Sequence, residues 1–272
     1  ADSLWQDLQA IGATTPLVHN IPNYVAMNSS ANALLALGAS PVMAHAIAEV
    51  EDMVALAAAL VVNIGTLDRE WLTAMERAVK KAQQLGKPIV LDPVGAGATP
   101  YRTLAVRQLL SAATPTVIRG NASEILAVAA EASNTRGVDS TQGSEMAIAA
   151  ARRLTQMYGC VVTISGATDF SVQGDRLAAN QNGHPLMAKV TGLGCTASAL
   201  IGAFLAVQPE QPLRAAVHAM GLMGLAGEIA AENACGPGSL QSHFLDSLYT
   251  LDRATLSQRL RLEAQVEQPI AL

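Results

Sequence analysis

The chain alternates short apolar runs with longer segments that have helical spacing. The apolar runs predict buried strands, which are Leu17–His19, Pro41–Met43, Leu60–Ile64, Pro88–Leu91, Thr116–Ile118 and Val161–Ile164. Between them, apolar residues recur every three to four positions and predict the helices Tyr24–Leu37, Arg69–Leu85, Thr103–Ala112, Ser123–Ala130 and Glu145–Met157. Repeated strand–helix units are typical of an α/β fold in which helices cover both faces of a central, mainly parallel sheet.

The second half of the chain departs from this alternation. A hairpin is predicted over Thr168–Ala179, with its turn near Gly174 and Asp175. After Cys195 nearly all of the chain is expected to be helical, over Thr196–Ala206, Pro212–Asn233, Leu240–Tyr249 and Arg253–Ala264. The sequence contains no long linker, repeat or low-complexity tract, so we expect residues 1–272 to form one domain.

Composition restricts the possible partners and the compartment. Of the residues, 50% are apolar and 14% are charged, which predicts a compact protein. A net charge of −5 without a Lys/Arg run argues against nucleic acid, and the longest apolar stretches are too short for a membrane span. Cys160, Cys195 and Cys235 form no C-x-x-C pair, which argues against a disulfide framework or a zinc site and favours the cytoplasm.

Candidate chemistry lies where strands end, because ligands bind at the carboxyl ends of strands in open α/β sheets. Asp92 follows the predicted strand Pro88–Leu91 and is either a Mg²⁺ ligand or a turn acid that caps the next helix. Arg119 ends the next strand, where an unpaired charge is costly unless a ligand or carboxylate meets it, so it is a candidate phosphate clamp. Asn121 and Glu124 fit a capping box, and Glu124 is alternatively a second acid near the metal.

Two further strand-end segments suit phosphate. Gly192 and Gly194 precede an apolar helical run, and a helix start of this kind favours anions, although the segment is neither a Walker A motif nor a dinucleotide fingerprint. Cys195, in the first turn, is either a small buried hydrophobe or a candidate base or nucleophile whose pKa the helix start lowers. Ser165–Asp169 suits a nucleotide phosphate, but an ordinary tight turn is the favoured interpretation.

Together these segments resemble the hydroxyethylthiazole kinases, which salvage thiazole for thiamine biosynthesis. The resemblance runs over nearly the whole chain and depends on the order and spacing of its motifs. These motifs are Pro16-Leu17-Val18-His19-Asn20, the stretch Ala-Asn-Ala-Leu-Leu-Ala-Leu-Gly-Ala-Ser-Pro over 31–41, Asn63-Ile64-Gly65-Thr66-Leu67, Leu91-Asp92-Pro93-Val94, Arg119-Gly120-Asn121-Ala122-Ser123-Glu124 and Gly192-Leu193-Gly194-Cys195.

The resemblance implies a ribokinase-like fold and a homotrimer with active sites between neighbouring subunits. It implies transfer of the γ-phosphoryl group of ATP, with Mg²⁺, to the primary alcohol of 4-methyl-5-(2-hydroxyethyl)thiazole. It also implies residue roles: thiazole contacts from Met43, Asn23, Gly192 and Cys195; ATP contacts from Arg119, Ser165 and Asn121; and Mg²⁺ organised by Asp92 and Glu124.

The resemblance changes the interpretation of Cys195, because related sugar kinases of this fold have an aspartate base at this position. Phosphoryl transfer needs positioning and charge neutralisation more than proton abstraction, so we expect Cys195 to orient the alcohol and to act at most modestly as a base. The N–H groups of the segment from Gly192 through Gly194 to Cys195 would stabilise the transferring phosphoryl group. The chain departs from the family at Leu193 and Ser165, where Thr is frequent.

Three alternatives stay open on the sequence. Pyrimidine kinases and nucleotide-repair dehydratases of the same fold normally have Asp at the position of Cys195 and lack the stretch 31–41. A thiol-dependent hydrolase or transferase would use Cys195 as nucleophile, but it needs a histidine base that the spacing does not supply. In a non-catalytic thiazole-binding protein, Asp92 and Glu124 would be dispensable.

Overall fold

A single mixed sheet organises the chain. The computed structural model describes residues 1–132 and 143–266. The strands are β1 Leu17–Ile21, β2 Ser40–Val42, β3 Ala59–Asn63, β4 Ile89–Asp92, β5 Val117–Asn121, β6 Val161–Ser165, β7 Asp169–Gln173, β8 Arg176–Asn180 and β9 Leu262–Val266. They form one nine-stranded sheet in the order β2-β1-β3-β4-β5-β6-β7-β8-β9. Strands β1 to β6 pair in parallel, and β6 to β9 pair antiparallel.

Helices cover both faces of the sheet. They are α1 Asp2–Thr14, α2 Met27–Leu37, α3 Val50–Leu56, α4 Arg69–Gln84, α5 Pro100–Ala112, α6 Ala122–Ala132, α7 Gly143–Tyr158, α8 Leu193–Val207, α9 Pro212–Glu232, α10 Pro237–Thr250 and α11 Arg253–Arg259, and a 3₁₀ helix covers Pro185–Lys189. Within residues 1–132 and 143–266, no helix is long and apolar enough to cross a membrane.

Alternation along the parallel strands separates two cores, since successive strand residues point to opposite faces. One core packs against α1, α2, α8, α9 and α10 and contains Val18, Val61, Val90, Val117 and Val161. The other packs against α3 to α7 and contains Leu60, Val62, Ile89, Leu91, Ile118 and Val162. The expectation of a mainly parallel sheet with helices on both faces is therefore confirmed.

The sequence predictions hold best where burial is continuous. All six predicted parallel strands exist, although the strand predicted over Pro41–Met43 lies at Ser40–Val42, and the hairpin is formed by β7 and β8 with Gly174 at φ 59 in its turn. Three helices were not predicted: α1, α3 and the 3₁₀ helix.

The prediction of a helix over Arg253–Ala264 is wrong beyond Arg259. The helix ends there, and residues 262–266 form β9 instead. Strand β9 pairs with β8 from Asn180↔Leu262 to Arg176↔Val266. This pairing with a distant strand supplies the backbone hydrogen bonds of β9, and local helical periodicity contains no information about such a partner.

Helix α8 passes directly under the sheet, and Gly202 permits the close approach. A Cβ atom at Gly202 would lie 2.6 Å from Val61 Cγ2 and 3.1 Å from Val18 Cγ1, both in central strands. Real Cβ atoms essentially never approach as closely as the contact with Val61, so a larger residue would push the helix away from the sheet.

We therefore expect Gly202→Ala to lower the free energy of unfolding by about 1–3 kcal/mol, measured by urea denaturation. The matched control is Gly12→Ala in α1, where a Cβ would meet nothing within 4 Å. The control should be neutral or stabilising by up to about 1 kcal/mol, because Ala is the better helix former. Equal stability of both variants would contradict the packing described here.

Candidate active site

A line of buried hydrogen bonds crosses the carboxyl ends of neighbouring strands. Asn63 and Asp92 end β3 and β4 in register, and Asn63 Nδ2 donates to Asp92 Oδ2 at 2.7 Å. Asn23 Nδ2 donates to Asn63 Oδ1 at 2.8 Å and to Cys195 Sγ at 3.2 Å. Ser198 Oγ, one turn into α8, donates to Asp92 Oδ2 at 2.8 Å. The network therefore connects the thiol at the start of α8 to the carboxylate at the end of β4.

Asp92 is inaccessible to solvent, yet one of its carboxylate oxygens accepts no hydrogen bond from the described residues. Its Oδ1 is buried and has no hydrogen-bond partner among the described residues. Burial raises the pKa of Asp92 to about 6, and the Arg119 guanidinium is the strongest of the groups that oppose this rise. A buried carboxylate oxygen without a partner is costly unless a cation or a donor meets it, so Oδ1 is available to a ligand.

Glu124 is fixed by the capping box that the sequence predicts. Glu124 Oε2 accepts the Asn121 N–H at 2.8 Å, and Asn121 Oδ1 accepts the Glu124 N–H at 3.0 Å. Glu124 Oε1 accepts a further bond from the Gly95 N–H at 2.8 Å, which joins the loop after β4 to the start of α6. Each carboxylate oxygen keeps a second lone pair, so the capping role and a role near a metal ion are compatible.

The donor set of Asp92 and Glu124 fits Mg²⁺. The two carboxylates are close enough for the charge of Glu124 to raise the pKa of Asp92. Across the part of the chain that the structure describes, no group of three or more His, Cys, Asp or Glu side chains could hold a metal ion by itself. Mg²⁺ commonly uses one or two carboxylates and takes its remaining ligands from substrate phosphates and water, which matches this sparse set.

The start of α8 has the features of an anion site. Gly192 caps the helix with φ 83, in the left-handed region that glycine adopts without strain. A Cβ at Gly194 would lie 2.8 Å from Arg119 Nη1, so the guanidinium packs directly over this glycine. Arg119 is 8% exposed, and its Nε has no partner among the described residues. A cation and free helix N–H groups therefore converge, as the sequence predicts for a phosphate clamp.

Cys195 is not the activated thiol that its helix position suggests. Burial, together with the negative charge of Asp92, raises the pKa of Cys195 to about 11, against the opposing effect of hydrogen bonds from Asn63 and Asn23. The expectation that the helix start lowers this pKa is wrong, because desolvation and a neighbouring carboxylate outweigh the helix. The thiol is neutral at physiological pH, which argues against the hydrolase or transferase alternative.

A cavity of about 570 Å³ opens beside Arg119. One side comes from the ends of β5 and β6 and the start of α8, and includes Arg119, Ser165 and Gly194. The other side comes from the segment after β8 and from α9, and includes Asn182, Gly183, Pro185, Met187, Met220 and Met223. The candidate phosphate-binding groups and an apolar, methionine-rich surface therefore share one cavity, an arrangement that suits a nucleotide.

The other predicted site residues lie outside this lining. Met43 is half-buried just after β2, and Asn23 is buried against Gly65, where a Cβ would come within 2.6 Å of Asn23 Nδ2. Asn121 Oδ1 accepts from Ser123 Oγ at 2.7 Å in addition to its capping bond. Their predicted ligand contacts therefore stay predictions.

Three residues of the site were not singled out from the sequence. Asn63 and Ser198 bind Asp92, and each is a polar residue inside an apolar segment, which is a usable signal. Arg102 of α5 donates to the carbonyls of Ile64, Gly65 and Val94 and so holds two strand-end loops together. Arg102 lies in a polar helix, where nothing in the sequence distinguishes it from a surface charge.

We expect alkylation to distinguish the three cysteines. Cys235 is exposed, whereas burial raises the pKa of Cys160 to about 12 and of Cys195 to about 11. At pH 8 only about one Cys195 thiol in a thousand is ionised, so iodoacetamide should label Cys235 first, as read by peptide mass spectrometry. Labelling of Cys195 as fast as Cys235 would show that its thiol is activated.

Comparison with known proteins gives a consistent result. The family model "Hydroxyethylthiazole kinase family" matches residues 8–254. A hydroxyethylthiazole kinase of Syntrophus aciditrophicus (strain SB) is 59% identical, and the match covers 97% of this chain and 97% of that protein. The solved structure of a hydroxyethylthiazole kinase protein from Pyrococcus horikoshii OT3 is 42% identical with a TM-score of 0.90, and covers 97% of this chain and 100% of the other.

A more distant structure supports the fold alone. A ribokinase-like superfamily protein from Enterococcus faecalis V583 has a TM-score of 0.61 at 14% identity, and the match covers 87% of this chain and 88% of that one. The shared architecture at such low identity shows that the sheet and its helices are ribokinase-like.

Proposed function

The chain belongs to the hydroxyethylthiazole kinase family, and we propose that it transfers the γ-phosphoryl group of ATP to the primary alcohol of 4-methyl-5-(2-hydroxyethyl)thiazole. One observation carries the proposal. The cavity lining that contains Arg119 and Gly194 adjoins the buried network of Asp92 and Cys195. A nucleotide in the cavity would therefore direct its phosphates toward both a candidate metal site and a candidate alcohol site.

Arg119 and the start of α8 would hold the phosphates. The guanidinium over Gly194 supplies positive charge, and the first N–H groups of α8 point out of the helix without intrahelical partners. Ser165 lines the same cavity and adds a hydroxyl. Fixed donors of this kind stabilise the charge of a transferring phosphoryl group without reorganising during the reaction.

Asp92 and Glu124 would hold Mg²⁺. The ion would neutralise phosphate charge and orient the γ-phosphoryl group for transfer. The support in this chain is the buried Oδ1 of Asp92 and the fixed carboxylate of Glu124. Asn121 fixes Glu124 and lies where the family places an ATP contact.

Cys195 would orient the alcohol. Its sulfur accepts a hydrogen bond from Asn23, so the thiol keeps its own hydrogen for the substrate oxygen. A thiol with a pKa of about 11 is a poor base at neutral pH, which agrees with transfer that depends on positioning rather than on proton abstraction.

Met43, Asn23 and Gly192 would contact the thiazole, and a neighbouring subunit would complete this part of the site. Tyr24 and Val25, adjacent to Asn23, are 63% and 61% exposed. Exposed apolar side chains beside a binding residue are typical of a surface that another chain covers, which supports the homotrimer. The three free cysteines support a reducing compartment, which we take to be the cytoplasm. Across the described residues, the continuous sheet supports the proposal of one domain.

The direct test is phosphorylation of the thiazole alcohol, followed by mass spectrometry of the product and by release of ADP. We expect thiazole phosphate and ADP in equal amounts with Mg²⁺ and at least about a 100-fold lower rate when EDTA removes it. A hydroxymethylpyrimidine serves as the comparison acceptor. Preferred phosphorylation of the pyrimidine, or no product from either alcohol, would refute the proposal.

Substitutions separate the metal site from the thiol. We expect Asp92→Asn to lower kcat at least about 100-fold, because the amide keeps an acceptor for Asn63 and Ser198 but loses the charge that binds Mg²⁺. Cys195→Ala should lower kcat by less than about 100-fold, because the loss of a general base lowers the rate by about 100-fold or more. A covalent adduct on Cys195 or a larger loss in Cys195→Ala than in Asp92→Asn would contradict these roles.

Stability shows whether the loss in Asp92→Asn is a folding defect. Without Mg²⁺, the pKa of Asp92 is raised from 3.8 to about 6, so its ionisation destabilises the folded state as pH rises through this window. Asp92→Asn should therefore be more stable than the parent by about 1–3 kcal/mol at pH 8 and about equally stable below pH 3.8. Asp175→Asn, in the exposed β7–β8 turn, should show little change at either pH.

A further inference from the structure

One wall of the nucleotide cavity is held from behind by a carboxylate. Asn182 and Gly183 line the cavity, whereas Glu228 of α9 does not. Glu228 Oε1 accepts the Gly183 N–H at 2.9 Å, and Glu228 Oε2 accepts Asn182 Nδ2 at 3.1 Å. Burial opposes the ionisation of Glu228, but hydrogen bonds from Gly183, Arg261 and Asn182 outweigh it and lower the pKa of Glu228. The wall therefore depends on a charged acceptor outside the cavity.

Asn182 extends this connection to the link between α11 and β9. Asn182 Oδ1 accepts the Arg261 N–H at 2.6 Å, and Asn182 Nδ2 also donates to the Arg259 carbonyl at 2.9 Å. The Arg261 guanidinium pairs with Glu228 and donates to the Gln181 carbonyl at 2.8 Å. Glu228 thus joins α9, the segment after β8 and the link between α11 and β9.

Two glycines of α9 allow the cavity wall to pack closely against this helix. A Cβ at Gly224 would collide with the Asn182 carbonyl, and a Cβ at Gly227 would collide with the Met187 side chain. The wall therefore packs directly against the helix, and the hydrogen bonds that Glu228 accepts fix its position on that surface. A small shift of the segment that contains Asn182 and Gly183 would change the width of the cavity, since no larger side chain lies between this segment and α9 to absorb the shift.

The cavity has two chemically different sides, which indicate what this wall contacts. Arg119 and Gly194 supply charge and N–H groups on one side. Met187, Met220 and Met223 lie with Asn182 and Gly183 on the other side, and polarisable thioethers suit the face of an aromatic base. With the phosphates toward Arg119, the nucleoside lies against the wall that Glu228 supports.

We propose that Glu228 is a positioning residue for the nucleotide: it fixes Asn182 and Gly183 and thereby sets the width of the nucleoside end of the cavity. This inference rests on the proposed function for the identity of the nucleotide. Glu228 does not line the cavity, so we expect its loss to act on nucleotide affinity and not on the phosphoryl-transfer step.

A purely stabilising role is the alternative to be excluded. The Arg261 side chain is 50% exposed, so its ion pair with Glu228 is worth little by itself. The bonds to Gly183 and Asn182 differ, because the Glu228 side chain is 12% exposed and its removal leaves the Gly183 N–H and one hydrogen of the Asn182 Nδ2 group without their acceptor. The effect of removing the Glu228 carboxylate is therefore expected at the cavity wall, where these two donors lie.

Glu228→Gln tests the proposal. The amide is nearly the same size, but its NH₂ group faces either the Gly183 N–H or the Asn182 amide donor, so one of the two bonds is lost. We expect KM for ATP to rise about tenfold. The dissociation constant for ATP, measured by calorimetry without the alcohol, should rise equally. Values of kcat and of KM for the thiazole alcohol should stay within about twofold.

Glu232→Gln is the matched control. Glu232 lies one helical turn further along α9 and pairs with Arg259, the last residue of α11, at 2.6 Å. Among the described residues, Glu232 forms no hydrogen bond with Asn182 or Gly183, so its substitution removes a similar ion pair without releasing either residue. We expect the ATP affinity of this variant to stay within about twofold of the parent.

The outcomes separate the inference from the proposed function. An unchanged ATP dissociation constant in Glu228→Gln, or an equal rise in Glu232→Gln, would overturn the positioning role. A parallel loss of kcat and of affinity for both substrates would also overturn it, since general destabilisation has that effect. If the parent chain binds ATP but does not phosphorylate the thiazole alcohol, the proposed function fails, and weaker ATP binding in Glu228→Gln still supports the inference.

Discussion

The buried Asp92 carboxylate is the constraint on which the rest of the site depends. Its burial is unfavourable, and Asn63 and Ser198 offset only part of the cost through one of its oxygens. The opposite oxygen stays without a partner among the described residues. This arrangement suits the binding of a cation, because a bound cation would offset the cost of burying the charged carboxylate.

The same carboxylate explains the state of the neighbouring groups. Its charge contributes to the raised pKa of Cys195, so the thiol stays neutral although it lies at a helix start. Arg119 opposes the rise in the pKa of Asp92 and packs over Gly194, so one guanidinium serves both the acid and the anion site. The phosphate site, the candidate metal site and the candidate alcohol site are therefore electrostatically coupled across the strand ends.

Some features of the fold and of the site can be predicted from the sequence, and others cannot. The parallel strands, the capping box of Asn121 and Glu124, and the helix start at Gly192 follow from local patterns and agree with the structure, whereas anion binding at that helix start stays a prediction. Strand β9 does not, because its hydrogen bonds come from distant β8. The pKa of Cys195 was predicted in the wrong direction, since desolvation depends on how deeply the packed helix lies, which local sequence does not contain.

The most direct measurement is the coupling between Mg²⁺ and ATP binding, by calorimetry of ATP with and without Mg²⁺ in the parent chain and in Asp92→Asn. If Asp92 and the nucleotide phosphates share the ion, Mg²⁺ should raise the ATP affinity of the parent at least about tenfold, and Asp92→Asn should lose most of this gain. An equal gain in both proteins would show that Asp92 does not hold the metal, and the account of the buried carboxylate would be wrong.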